Sequence, residues 1–212
     1  MNLLVLLAHP DPASLNHAIA LAVSNALRAT GHHVVFHDLY AEGFDPLLTS
    51  EEIPETGRVP ANILKHCDEL RNADGIVIVH PNWWGQPPAI LKGWIDRVLR
   101  PGVAYRFDEG DSGEGVAVGL LKAEAALVLN TSNTPDAREQ ATFGDPLESL
   151  WKRCIFELCG VTNVQRRTFA VVVTSTLQQR KHWIDEAKDL ATTLFPTAAH
   201  TASVLVGPCS SA

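Results

Sequence analysis

The chain has 212 residues, including 17 Lys or Arg and 24 Asp or Glu, and 46% of its residues are hydrophobic. A charged fraction of 19% and a mean hydropathy of +0.03 are typical of a globular chain that can bury a sizeable core. The formal net charge of −7 argues against broad binding to nucleic acids or anionic membranes, because both require a basic surface. No apolar run approaches the ~20 residues of a membrane-spanning helix.

The first residues and the cysteines indicate the compartment. The start, MNLLVLLAHP, lacks the basic segment of a secretory signal and predicts a buried strand. The four cysteines (67, 154, 159 and 209) are too scattered for a disulfide framework, and the pair Cys154 and Cys159 lacks a second pair of metal ligands nearby. We therefore expect reduced thiols, no metal site and a cytoplasmic location.

Hydrophobic periodicity alternates between two kinds along the chain. Short continuous apolar runs predict strands at 3–8, 33–39, 75–79, 125–130 and 168–173. Apolar residues recurring every three or four positions predict helices at 14–27, 60–71 and 89–99, a fourth from about 146 to 158, and a last one ending near 194. Between them lie an irregular Gly-rich stretch, 100–122, and a polar loop, 131–142.

Five strands alternating with five helices predict a three-layer α/β fold, with helices on both faces of a parallel sheet. Right-handed crossovers allow Rossmann-like and flavodoxin-like strand orders, and the lack of a second mononucleotide half favours the flavodoxin-like order 2-1-3-4-5. This domain would cover residues 1–196, followed by a loose or partner-bound tail at 197–212. Ligands of such folds bind at the carboxyl ends of the strands, which selects the loops 9–16, 80–88 and 130–145.

The first loop, HPDPASLN at 9–16, leads from a strand into a helix N-terminus, where free N–H groups and the helix dipole favour a phosphate. It contains neither the dinucleotide fingerprint nor the P-loop motif. Ser14 and His9 could add donors; equally, Ser14 could be only an N-cap and His9 an ordinary loop residue.

The second loop, PNWWGQPP at 81–88, places two adjacent tryptophans between prolines. Neighbouring side chains of extended chain point in opposite directions, so at least one tryptophan should face the site. Rigid aromatic surface beside a phosphate pocket suits a planar ring system. The alternative is that both tryptophans only anchor the loop.

HPDPASLN at 9–16 and HPNWWGQPPAILKGWIDRVLRPGVAY at 80–105 resemble the flavodoxin-like NAD(P)H:quinone oxidoreductases. That family includes DT-diaphorase and small bacterial flavin reductases, one branch of which serves potassium-efflux systems. The resemblance extends over roughly residues 1–195, and its most specific stretch is PAILKGWIDRV at 88–98.

The resemblance implies a non-covalently bound flavin that takes a hydride from NADH or NADPH and passes two electrons to a quinone-like acceptor, in turn at one pocket. The cofactor-binding residues would be His9, Ser14, Leu15 and Asn16 at the phosphate, Pro81, Asn82, Trp83 and Trp84 at the isoalloxazine, and Asn130, Thr131, Ser132 and Asn133 in the loop after the fourth strand. FAD is favoured over FMN, because Arg180 lies where some members place an Arg near the second phosphate or the adenine. Alternatively, Arg180 is simply solvated.

The resemblance also implies a homodimer whose substrate pocket is completed by Tyr105 and Phe107 from across the interface. Mammalian members carry a Tyr and a His after the fourth strand for proton handling, and this chain has Ala137 and Phe143 there. We place Phe143 in the substrate pocket but transfer no acid–base role. The activity survives this departure, because the flavin itself performs the hydride chemistry.

Three other functions remain open. A flavodoxin-like electron carrier would have a phosphate loop rich in Ser and Thr, whereas 9–16 has a single Ser. A flavin-bound regulatory subunit of a membrane transporter is not indicated by any feature, although the sequence permits it. A hydrolase with Ser14 beside His9 lacks the usual nucleophile elbow and a visible acid.

Overall fold

The computed structural model describes residues 1–54, 56–107, 115 and 117–197. Its strands are β1 (Asn2–Leu7), β2 (His33–Asp38), β3 (Gly75–Pro81), β4 (Tyr105–Arg106), β5 (Val118–Gly119), β6 (Ala125–Ser132) and β7 (Val164–Ala170). Its helices are α1 (Leu15–Ala29), α2 (Ala61–Asn72), α3 (Ala89–Val98), α4 (Asp136–Arg138), α5 (Pro146–Ser149) and α6 (Leu177–Leu194). Two π-helical segments, Glu139–Phe143 and Leu150–Glu157, continue α4 and α5.

Five strands form a parallel sheet in the order β2-β1-β3-β6-β7. Numbered without the short β4–β5 ribbon this is 2-1-3-4-5, so the predicted flavodoxin-like fold is confirmed. β3 and β6 are buried throughout, because apolar helices cover both faces of the sheet. One core packs the sheet against α1 and α6, and the other packs it against α2, α3 and the second π-helical segment.

The fifth main strand was predicted at 168–173, but β7 spans Val164–Ala170. Its first half, VQRR, is polar, which hid it from a search for apolar runs. β7 is an edge strand, where polar side chains are tolerated, and acidic partners lie nearby. Arg166 bonds with Glu148 and Asp145, and Arg167 with Glu186.

Two stretches predicted as irregular are partly ordered. The stretch 100–122 contains the antiparallel ribbon β4–β5, while 108–114 and 116 lie outside the described residues. The polar loop 131–142 begins later than predicted, because β6 continues through Ser132 and α4 follows shortly after.

A buried ion pair fastens the long segment between β2 and α2 to α3. Arg97, 3% exposed, donates from Nη2 and Nε to the carboxylate of Glu52 over 2.9 and 3.1 Å. Pro46 of the same segment packs on Gly93, where an added Cβ would lie 2.3 Å from its atoms. Both α3 residues belong to the stretch 88–98, so that motif fixes a loop as well as a helix.

The described part of the chain contains no helix that is both long and apolar enough to cross a bilayer. Cys67, Cys154 and Cys159 carry free thiols. Residues 198–212, which hold Cys209 and most of the predicted tail, lie outside the described residues.

Candidate active site

A cavity of about 720 Å³ opens at the carboxyl ends of the parallel strands, where the three selected loops meet. Its volume falls in the usual range for small-molecule sites, ~300–1,000 Å³. Thirteen predicted residues line it: His9, Ser14, Leu15, Asn16, Pro81, Asn82, Trp83, Trp84, Thr131, Ser132, Asn133, Phe143 and Arg180. Their roles remain predictions, but the fold does bring them to one place.

The loop between β1 and α1 is shaped for an anion. Ser14 caps α1, accepting the N–H of His17 at 3.3 Å, and the first N–H groups of α1 have no partner within the helix. Such an end favours negative charge. Burial lowers the pKa of His9, and its Nδ1 accepts the N–H of Asp11 at 3.1 Å, so a neutral His9 offers an N–H at Nε2.

Trp84 stands in a tight turn that side chains rarely tolerate. Trp83 and Gln86 exchange two backbone hydrogen bonds of 3.0 Å, and between them Trp84 and Gly85 have φ of +59° and +70°. Asn82 braces the turn by accepting the N–H of Gly85 at 2.9 Å. A bulky residue with positive φ is an outlier that points to a functional constraint. The Trp84 side chain is fully exposed, so packing within the chain does not account for it.

Asn16 and Thr131 join the first and third loops. The amide of Asn16 donates to Thr131 Oγ1 at 2.9 Å, while Asn16 Oδ1 is buried and has no partner among the described residues. Buried polar atoms nearly always have a hydrogen-bond partner, and a hydroxyl group of a ligand in the cavity would donate the missing hydrogen bond to this oxygen. The anion-binding helix end, the aromatic turn and this free acceptor together fit the phosphate, the ring and the hydroxyl-bearing linker of a flavin.

Asn130 does not line the cavity, contrary to the prediction. It is fully buried behind the wall, where its amide lies 2.9 Å from Nε2 of His80 and its oxygen accepts from Arg166 at 3.1 Å. His80 also accepts the indole N–H of Trp151 at 2.9 Å and donates from Nδ1 to the carbonyl of Pro81 at 2.8 Å. Burial lowers the pKa of His80 to about 4, which keeps the ring neutral. This network holds Pro81 at the cavity wall from behind.

Arg180 lines the cavity from the first turn of α6. Its guanidinium donates to Ser175 Oγ at 2.8 Å and to the carbonyl of Val172 at 3.2 Å. It is therefore held in place by the chain and not freely solvated, although it still lines the cavity.

Tyr105 and Phe107 do not line the cavity formed by one chain. They lie on and just after β4, in contact with each other at 5.8 Å between ring centroids, and Phe107 is exposed. The sequence resemblance implies that they line the pocket of a second copy of the chain across a dimer interface. This role stays a prediction.

Several lining residues were not predicted: Asp11, Ala13, Gly85, Thr134, Glu139, Pro146 and Val172. Glu139 accepts the amide of Asn82 at 3.1 Å, a contact between two loops that sequence spacing does not reveal. The hydrolase prediction paired Ser14 with His9, but the ring near Ser14 is that of His17, with Nδ1 at 3.2 Å from Ser14 Oγ.

One group of three described residues has metal-ligating side chains, namely His37, Glu42 and His66, at a distance from the cavity. The indole N–H of Trp94 points at Nδ1 of His66 over 3.3 Å, so this nitrogen is an acceptor and Nε2 carries the proton. A metal ligand needs that Nε2 lone pair. The geometry therefore fits a hydrogen-bonded cluster and not a metal centre.

Comparison with known proteins identifies the family. The model of the family described as having the flavodoxin-like fold matches residues 1–192. The chain belongs to this flavodoxin-like family. It is 34% identical over 191 residues to an uncharacterised NAD(P)H oxidoreductase of Haemophilus influenzae, covering 88% of this chain and 92% of that protein.

Two further proteins are similar to this chain. Rat NAD(P)H dehydrogenase [quinone] 1 is 34% identical over 123 residues, which cover 49% of this chain and 45% of the rat enzyme. The NAD(P)H:quinone oxidoreductase of Methanothermobacter marburgensis superposes with a TM-score of 0.77 at 25% identity, over 92% of this chain and 97% of that one. The resemblance seen in the sequence is thus confirmed.

Proposed function

We propose that this protein is a flavin-dependent oxidoreductase that takes a hydride from NADH or NADPH and reduces a quinone-like acceptor. The observation that carries the proposal is the cavity itself, which has an anion-binding helix end, a partnerless buried amide oxygen and an exposed, strained tryptophan on its walls. Relatives named as NAD(P)H oxidoreductases and quinone dehydrogenases support it.

The chain would hold the flavin by three loops. His9, Ser14 and the first N–H groups of α1 would bind phosphate, and Asn16 would accept a hydroxyl of the linker. Residues 81–84 and 131–133 would contact the ring, with Pro81 fixed from behind by His80. A flavin held there would supply the hydride chemistry that couples oxidation of one substrate to reduction of the next.

The remaining chemistry is positioning. The cavity-lining groups that can titrate are few, and Glu139 is engaged with Asn82, so the loops orient and shield reactants and need not exchange protons with them. The sequence has no dinucleotide fingerprint, so the nicotinamide would enter the same cavity as the acceptor. That arrangement produces ping-pong kinetics.

We propose FAD as the resident flavin, with FMN as the alternative. Arg180 supports FAD, because its guanidinium is fixed by the chain at the cavity wall, where it would meet a second phosphate or the adenine. Mass spectrometry of the flavin released by heat distinguishes the two. FMN alone in the released fraction would exclude FAD.

We further propose a homodimer in which Phe107 of one protomer covers the other protomer's cavity. Phe107 is exposed and away from its own cavity, as such a role requires. Sedimentation should show a species of twice 23.0 kDa. Phe107→Ala should raise the KM for the quinone severalfold with flavin content unchanged; loss of flavin instead would place Phe107 against the cofactor.

The activity is tested with flavin-loaded protein, NADH or NADPH, and menadione as the acceptor. Parallel lines in double-reciprocal plots are expected, because the two substrates use one site in turn. An electron carrier would bind flavin but oxidise NAD(P)H negligibly. Intersecting lines would mean that both substrates bind together and would exclude the shared cavity.

A further inference from the structure

Behind Ser14 lies a chain of polar contacts that the binding of a phosphate does not by itself require. His17 is 8% exposed; its Nδ1 lies 3.2 Å from Ser14 Oγ, and its Nε2 lies 2.7 Å from Oδ2 of Asp38. Asp38 ends β2, and its other oxygen accepts the N–H groups of Tyr40 and Ala41, both at 3.1 Å. A carboxylate held by the backbone is thus linked through one imidazole to a hydroxyl on the cavity wall.

The protonation state of His17 decides where the hydroxyl proton of Ser14 points. In the neutral ring, a proton on Nε2 faces Asp38, and Nδ1 accepts the hydroxyl proton of Ser14. Ser14 Oγ, which also accepts the backbone N–H of His17, then offers the cavity a lone pair and no proton. In the doubly protonated ring, Nδ1 donates to Ser14 Oγ, and the hydroxyl proton is released to donate elsewhere.

We propose that His17 is a positioning residue that, supported by Asp38, turns Ser14 into a donor for the phosphate of the bound cofactor. Phosphate oxygens only accept hydrogen bonds, so a hydroxyl that offers lone pairs repels them and one that donates attracts them. Phosphate binding would therefore take up a proton on His17. This inference rests on the proposed flavin site and assigns a pH dependence to it.

Other charged groups near His17 come from the elements packed around it. Asp38 lies at the end of β2, Tyr40 follows it, and His9 and Asp11 lie in the loop before α1. Burial and the charge of His17 both lower the pKa of His9 from its ordinary value. A substitution at His9 therefore distinguishes the contribution of His9 to the pH dependence of binding from that of His17.

The experiment compares two probes on flavin-free protein, FAD and riboflavin, by flavin fluorescence from about pH 5.5 to about pH 8.5. Riboflavin lacks phosphate and should bind with the same Kd throughout. FAD should bind about tenfold more weakly at the alkaline end, since a hydrogen bond to a charged group is lost. FMN is avoided as the probe because its phosphate has a second pKa of about 6 and titrates in the same range.

His17→Gln should abolish the pH dependence and leave the FAD affinity near the alkaline value of the parent. His9→Gln should keep the pH dependence. His33→Gln is the matched control, because His33 is an exposed histidine at the opposite end of β2 from Asp38. Asp38→Asn, which removes the charge but keeps an acceptor, should move the loss of FAD affinity to lower pH.

Two results would overturn the role of His17. One is a pH profile for riboflavin that parallels the profile for FAD, and the other is a parent-like FAD profile in His17→Gln. Neither result would contradict the flavin site itself. The comparison of the two probes on the parent needs no variant, so a His17→Gln protein that fails to fold does not prevent the decision. If FAD and riboflavin fail to bind at any pH and FMN fails as well, the proposed function itself fails.

Discussion

Trp84 shows how a single residue can reveal a site. Its side chain is fully exposed and its φ is +59°, so the chain keeps a large aromatic where solvent surrounds it and where the backbone favours glycine. The turn next to it is braced by Asn82 and by two backbone bonds, which hold the strained conformation.

Trp84→Gly should therefore affect the stability of the fold and the binding of flavin in different ways. Relief of the positive φ should leave the free energy of unfolding equal to or about 1 kcal/mol above that of the parent. Loss of aromatic contact with the flavin ring should weaken flavin binding about tenfold. Urea unfolding and flavin fluorescence measure the two effects; unchanged flavin affinity would show that Trp84 does not contact the cofactor.

The sequence located most of the residues that line the cavity, because loops at the carboxyl ends of parallel strands meet whatever their details. Asn130 was misplaced because β6 runs through Ser132, two residues further than its apolar stretch, which leaves Asn130 inside the strand. The sequence did not single out Glu139 or His17, because the contacts of Glu139 with Asn82 and of His17 with Asp38 join residues that are distant along the chain.

At the scale of elements, prediction succeeded where apolar residues mark a buried face and failed where polar residues pair with each other. β1 and β3 were found from their apolar runs. β7 began four residues earlier than predicted, because Arg166 and Arg167 find carboxylates across the edge of the sheet. The segment between β2 and α2 is likewise held by charged residues, since Glu52 of this segment pairs with Arg97, and an apolar pattern does not reveal such a contact.

That pair yields a prediction for the whole segment. Arg97→Leu leaves Glu52 buried without its partner and should lower the free energy of unfolding by about 3–5 kcal/mol. Asp96→Ala on the same helix removes an exposed pair with Lys92 and should cost under about 0.5 kcal/mol. Urea unfolding compares the two variants. Equal losses in the free energy of unfolding would contradict a stabilising role for the buried pair of Arg97 and Glu52.

At the scale of the whole molecule, buried histidines link stability to pH. Burial lowers the pKa of His66 and of His80 to about 4 from the ordinary 6.5. Between these values the unfolded chain binds more protons than the folded one, so stability falls as pH drops from about 6.5 to about 4. At about 1.4 kcal/mol per pKa unit, each ring contributes a loss on the order of 2.5 kcal/mol, so we expect about 5 kcal/mol for the two by urea unfolding at a series of pH values.

His66→Gln should make that dependence shallower, whereas His182→Gln, at an exposed position on α6, should leave it unchanged. A free energy of unfolding that stays flat between about pH 6.5 and about pH 4 would mean that both rings take up protons in the folded state just as they do in the unfolded chain. That outcome would contradict the hydrogen bonds in which Trp94 and Trp151 donate to them.

The most direct test of the proposed flavin site is whether a flavin binds the folded chain. Flavin-free protein should be stabilised by FAD or FMN, by roughly 2.7 kcal/mol at about 100 times the Kd, and its melting temperature should rise with flavin concentration. Trp84→Gly should need about ten times more flavin for the same shift. No rise in melting temperature with saturating FAD or FMN would contradict the flavin site.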